Sequence, residues 1–165
     1  MRIISAPLVL LLVPLAACAR PAPESPAHPT TSTASAQASK IGGCRDVFLY
    51  AANDDATQVV IVDVDAKGVG LKKGDKKTFD LATAPKGVHV WLDRYLQPAH
   101  VENVHCTKMP SESQMAERYT ASAGTLTIEL GADGTVNATV EAAKFALEGR
   151  PTIEMATRRF ERVRV

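Results

Sequence analysis

The side chains best suited to chemistry gather in one short stretch: His100, Glu102, His105, Cys106 and Met109, with His89 a strand earlier. Imidazole nitrogen beside soft sulfur suits copper or zinc, which makes His100 and His105 the candidate metal ligands if their side chains meet in space. The spacing is not that of a zinc module, which needs clustered CxxC or HxxxH ligands. Histidines on a loop after a strand are also commonly just solvated. Asp63 and Asp65 could ligate calcium, but no glycine turn or downstream bidentate carboxylate of a calcium loop accompanies them. A solvated strand face explains them as well. Gly68, Gly70 and Gly74 lie in a Lys-rich loop ending at Lys77, yet the GxxxxGK[ST] spacing that aims backbone N–H groups at phosphate is missing. No Gly-x-Ser-x-Gly elbow, His-Glu-x-x-His helix or Ser-x-x-Lys pair occurs, so there is no triad to assign. The expectation is a non-catalytic chain without a cofactor, with an envelope hydrolase lacking any known motif as an alternative.

The elements that would hold these residues read as strands. Asp46-Val47-Phe48-Leu49-Tyr50 and 58–64 are β-branched and apolar runs separated by Asn53-Asp54-Asp55, whose side chains make turns by bonding to the backbone. A hairpin is expected. In its second strand Val60, Val62 and Val64 fall on one face and Asp63 and Asp65 on the other, the period of a half-buried strand. Val88, Val90 and Leu92 alternate in the same way with His89, Trp91 and Asp93; an indole of that size is expected in the core with a polar partner for its N–H. Leu126, Ile128 and Leu130 alternate with Thr125, Thr127 and Glu129, and Gly131-Ala132-Asp133-Gly134 turns this strand into the next, 135–147. The last run, 152–165, breaks its alternation near Arg158-Arg159, which predicts a bulge or a charged edge. A short helical turn is expected around Ser111 to Arg118. Six or seven strands with turn signals between them predict an all-β antiparallel β-sandwich, with a small β-barrel as the alternative.

Charge narrows the partners. The 165-residue chain carries 19 Lys and Arg against 18 Asp and Glu, a formal net charge of +1. A nucleic-acid binder would show a strong basic stripe with a reading element; only Arg158, Arg159, Arg162 and Arg164 form a local basic group, and an exposed strand face accounts for it. Asn137-Ala138-Thr139 matches a glycosylation acceptor and is given no role.

The N-terminus carries the address. After Met1-Arg2, an apolar stretch from Ile3 to Ala17 is broken only by Ser5, Pro7 and Pro14. It falls short of the roughly 20 apolar residues of a transmembrane helix and fits a signal-peptide core. Leu15-Ala16-Ala17-Cys18 closes it, and this resembles the lipobox of bacterial lipoproteins. The resemblance implies removal of residues 1–17, a diacylglyceryl group on the Cys18 sulfur and an acylated new N-terminus, several chains together anchoring firmly to a membrane. Ala19, in place of Asp, resembles the pattern sent to the outer membrane. The alternative, a chance cysteine beside an ordinary cleavage site, still gives a secreted protein. Residues 18–40 follow with Pro21, Pro23, Pro26 and Pro29 among Ala, Ser and Thr and no large apolar side chains until the domain begins, which reads as an extended tether. His28 within it is solvated. The remaining 41–165 is one domain's length.

With Cys18 assigned to lipid, Cys44 and Cys106 remain as an even pair in an oxidising compartment and are expected to form a disulfide, stabilising the fold by about 4 kcal/mol in the chain-entropy model. The expected function is that of a membrane-anchored envelope lipoprotein whose β domain binds a protein or glycan partner. A copper- or zinc-binding exported lipoprotein is the alternative.

Overall fold

Turn chemistry and alternation build the sheet locally. The computed structural model describes residues 40–101, 106 and 114–165, so the Leu15-Ala16-Ala17-Cys18 motif, the stretch 18–39 with His28, and Glu102, His105, Met109 and Ser111 lie outside the described residues. The strands are β1 (Lys40–Cys44), β2 (Phe48–Ala52), β3 (Gln58–Val64), β4 (Lys76–Asp80), β5 (Val88–Tyr95), β6 (Met115–Leu130), β7 (Thr135–Ala146) and β8 (Ile153–Arg164). Between β2 and β3, Asn53 Oδ1 accepts the Gln58 N–H at 2.9 Å and Asp55 Oδ1 accepts the Thr57 N–H at 2.9 Å, so the polar turn satisfies itself. Between β6 and β7, Asp133 Oδ1 accepts the Thr135 N–H at 3.0 Å and Gly134 takes φ 81°, a conformation open to a residue without Cβ.

All paired strands are antiparallel neighbours in one sheet of order β1-β2-β3-β5-β6-β7-β8. The long β6 serves two partners along one edge: Met115–Thr120 pairs with β5, and Thr125–Glu129 pairs with β4. At Gly124 between these halves φ is 107°, and a Cβ there would come within 2.7 Å of the β7 backbone at Ala143 Cα and Glu141 O, so the irregular crossing of β6 and β7 requires glycine. The alternating path leaves β1 and β8 running the same way, and they meet without a ladder between them; Gly43 lies against Val163 across the seam. The sheet is therefore nearly closed and barrel-like, and the all-β sandwich-or-barrel expectation holds.

The interior is filled by alternate residues of nearly every strand, including Leu49, Val62, Val90, Leu126, Ile128, Val140, Phe145 and Phe160, all buried. A second cluster lies on the opposite face of β2 and β3: Phe48, Tyr50, Ala52, Val59 and Ile61, packed with Tyr95, Ala99 and Val101. The expected half-buried character of β3 is corrected by this. Residues 59–62 face apolar neighbours on both sides of the strand, because the chain leaving β5 is held over the outer face. Two ties hold it there: the Ala99 N–H donates to Ala56 O at 2.8 Å, and Cys106 is disulfide-bonded to Cys44, the last residue of β1, with Cα atoms 5.7 Å apart.

Other expectations shift. Met115 to Arg118 form the start of β6 rather than a helical turn, since they pair with Tyr95 to Asp93 of β5. The bulge of β8 falls after Phe160. Ala138 pairs with Phe160 and Val136 with Val163, so Glu161 and Arg162 together oppose Asn137. Arg162 takes φ 49° and donates its N–H to Asn137 Oδ1 at 2.7 Å. Arg158 and Arg159 remain in regular register, opposite Val140 and Thr139. The sheet begins at Lys40, one residue before the expected domain start.

Candidate binding surface

Strand alternation places His89, Trp91, Asp93 and Tyr95 of β5 on its outward face, and the antiparallel register sets Arg118 of β6 opposite Asp93. Asp93 is fully buried. A lone carboxylate there would be costly, and Arg118 answers it with two bonds, Nε to Oδ1 and Nη2 to Oδ2, both at 2.7 Å. The planar guanidinium fixes both groups at once, and its charged form is further favoured by this carboxylate. Tyr95 donates its hydroxyl to Asp93 Oδ2 at 3.4 Å; burial, and then the Asp93 charge, push its phenol well above the ordinary tyrosine value.

The same guanidinium carbon lies 4.5 Å from the centroid of the Trp91 ring, a cation–π contact. His89 stacks on that indole with ring centroids 5.1 Å apart and planes 4° from parallel. Trp91 is thus half-buried rather than a core residue: its body packs against the outer cluster while imidazole and guanidinium flank it. The row runs from exposed His89 to fully buried Asp93 along one strand.

His89 lies where two grooves meet. One, of about 620 Å³, runs over Leu81, Ala84, Pro85 and Thr120; its floor opens because β5 and β4 occupy different halves of the β6 edge. The other, of about 400 Å³, runs over Arg45, Phe48, Asp63 and Asp65. The Arg45 guanidinium sits 5.5 Å from the Phe48 ring centroid at its rim.

The predicted residues are dispersed. His100 is exposed on the stretch after β5, His105 lies outside the described residues, and Cys106 is committed to the disulfide. Among the described residues no three His, Cys, Asp or Glu side chains group as a metal site. Asp63 is cross-strand to His89 and to Phe48, while Asp65 Oδ1 accepts the Gly68 N–H at 2.8 Å. The arginines divide between faces: Arg158 opposes the buried Val140, its Nε is buried without a hydrogen-bond partner, and burial pulls its pKa down. Sequence reading missed Asp93 and Arg118 as a pair. The available signal was a carboxylate alternating with apolar residues in a strand that also carries Trp91.

Compared with protein-family models, with curated proteins and with solved structures, the chain matches none. The described residues contain no helix long and apolar enough to cross a membrane.

Proposed function

We propose that the chain is a membrane-anchored envelope lipoprotein whose β domain binds a protein or glycan partner without transforming it. The address rests on Leu15-Ala16-Ala17-Cys18 and the Pro-rich stretch behind it. The binding role rests on the row of His89, Trp91 and Arg118, held at a junction of two grooves by the buried Asp93 carboxylate. Tryptophan and arginine dominate the residues that carry binding energy, and a platform fixed before contact loses little ordering entropy on binding. Indole and imidazole offer apolar area with few rotatable bonds, and the grooves beside them offer carboxylates and a further cation for polar contacts to a sugar or a peptide. A lipid anchor and tether keep such a platform concentrated near its partner, so modest intrinsic affinity suffices.

The test has two parts. Labelled fatty acid should enter the wild-type chain and not Cys18→Ser, and the variant should leave the membrane fraction. Crosslinking and pull-down from intact envelope should recover a partner with the wild type and lose it with Trp91→Ala. Equal recovery by both chains would remove the role given to this surface.

A further inference from the structure

The side of the sheet across from this row has its own chemistry. β5 is the middle strand of the seven-strand path, and β1 and β8 are its two ends, so the seam between them lies three strands from β5 in either direction. Strict alternation along Arg158-Arg159-Phe160-Glu161-Arg162-Val163-Arg164 would put Arg159 and Val163 on one face and Phe160, Arg162 and Arg164 on the other. The bulge changes the phase. Phe160 and Val163 are both buried, whereas Arg159, Glu161, Arg162 and Arg164 are exposed. The change is made with arginine in the left-handed region, φ 49° at Arg162, where glycine or asparagine would be the unstrained choice.

The result is three exposed arginines along one strand, with Glu161 between them, Glu141 in the groove on the β7 side and Asp133 near Arg162. Arg159, Glu161 and Arg162 line both grooves that flank β8, of about 550 and 560 Å³. Arg159 and Arg164 make no ion pair among the described residues, and Arg162 comes no nearer than 3.9 Å to Asp133 Oδ2. Across the seam, Lys40 opens β1 and is exposed. Two of the large apolar side chains left exposed, Ile41 at 45 % and Val165 at 38 %, stand on this same edge. Arginines beside exposed aliphatics fit an interface between headgroups and acyl chains, where phosphate meets guanidinium and aliphatic groups leave water.

We propose that the β1/β8 seam is a membrane-docking face: Arg159, Arg162 and Arg164 meet the phosphates of an anionic lipid surface, and Ile41 and Val165 enter its apolar margin. Position and charge together select this occupant. The N-terminal residues join the sheet at Lys40, on this edge, so an anchor reached through them connects beside the seam, three strands away from the His89–Trp91 row. The proposal extends the lipoprotein reading but is tested without the lipid, so each can fail alone.

The experiment sediments the oxidised chain from Ala19 to Val165 with vesicles of phosphatidylcholine alone and of phosphatidylcholine with phosphatidylglycerol. Binding to the anionic vesicles is expected, with release at roughly 1 M salt, where the Debye length shrinks to about 3 Å. Arg159→Glu with Arg164→Glu should weaken it by about tenfold or more. The same charge change on the β3–β5 side, Lys67→Glu with Lys86→Glu, should leave it within about twofold if the seam is the contact. All four positions are exposed, so the variants keep the fold. Equal loss from both pairs, equal binding to neutral vesicles, or retention on poly-glutamate with none on anionic vesicles would overturn the proposal. The last result would assign the edge to an acidic polypeptide.

Discussion

The two faces of β2 and β3 carry equally buried side chains for different reasons. Leu49, Val60 and Val62 look inward and are covered by the rest of the curled sheet, so that nearly every strand contributes to their burial. Phe48, Tyr50, Val59 and Ile61 look outward and depend on one connection, held by Ala99, Val101 and the Cys44–Cys106 disulfide. The first face is buried by cooperative closure of the whole sheet; the second is buried by a strap. An apolar cluster under a strap should therefore be separable in energy from the fold, whereas the interior should not.

The sharpest way to break this contrast is from within. Phe160→Ala, at a fully buried interior position, should cost about 4 kcal/mol, read as a fall in the urea midpoint. Unfolding of the outer cluster ahead of the interior would be absent in this variant, since the whole sheet loses support.

Removing the strap's fastening should cost about as much. Cys44→Ser with Cys106→Ser opens a link between residues 62 apart in sequence and should destabilise by about 4 kcal/mol in the chain-entropy model. It should also reduce the cost of Ile61→Ala while leaving that of Val62→Ala unchanged, a coupling seen in a double-mutant cycle. Equal coupling at both positions would merge the two clusters into one.

Asp93→Asn tests the polar seat beside the outer cluster. It leaves Arg118 without its bidentate acceptor and should cost about 2 kcal/mol, while freeing the guanidinium from the Trp91 ring, visible as a change in tryptophan fluorescence. Unchanged fluorescence would mean that the buried carboxylate does not set the row.

The smallest effect is a pH slope. Tyr95 holds its proton in the fold well above the value of about 10 at which it ionises in the unfolded chain. Its contribution is complete below that pH and declines as pH rises beyond it, because only the unfolded chain then gains by losing the proton. Tyr95→Phe should show a shallower loss of stability between about pH 10 and 11 than the wild type. Parallel slopes would show that the phenol is not sheltered by the strap.

How far the sequence could be read follows the same contrast. Period-two alternation located the interior residues of β3, β5 and β6, and the Asn53–Asp55 and Gly131–Gly134 turns located two hairpins. The Cys44–Cys106 pair was expected once Cys18 was set aside for lipid, and that bond is present. Alternation also suggested that the residues between inward positions are wet, which fails at Val59 and Ile61 because a pattern along one strand carries no information about what crosses above it. Trp91 was expected in the core on size alone; the structure stacks its ring against His89 and Arg118 instead. A bulge or an edge position was expected near Arg158-Arg159: β8 is an end strand of the sheet, and its bulge sits further on, at Glu161-Arg162, where Asn137 on the neighbouring strand accepts the Arg162 N–H.

By itself the sequence located β2, β3, β5, β7, β8, the second half of β6 and two of their turns, because these depend on residues near one another, while β1 and the first half of β6 were not foreseen. The tertiary structure decided which second face would be covered, which carboxylate would be buried with an arginine, and onto which side the C-terminal arginines would turn. Each of those is a contact between segments far apart in the chain, and no local pattern specifies the partner that arrives.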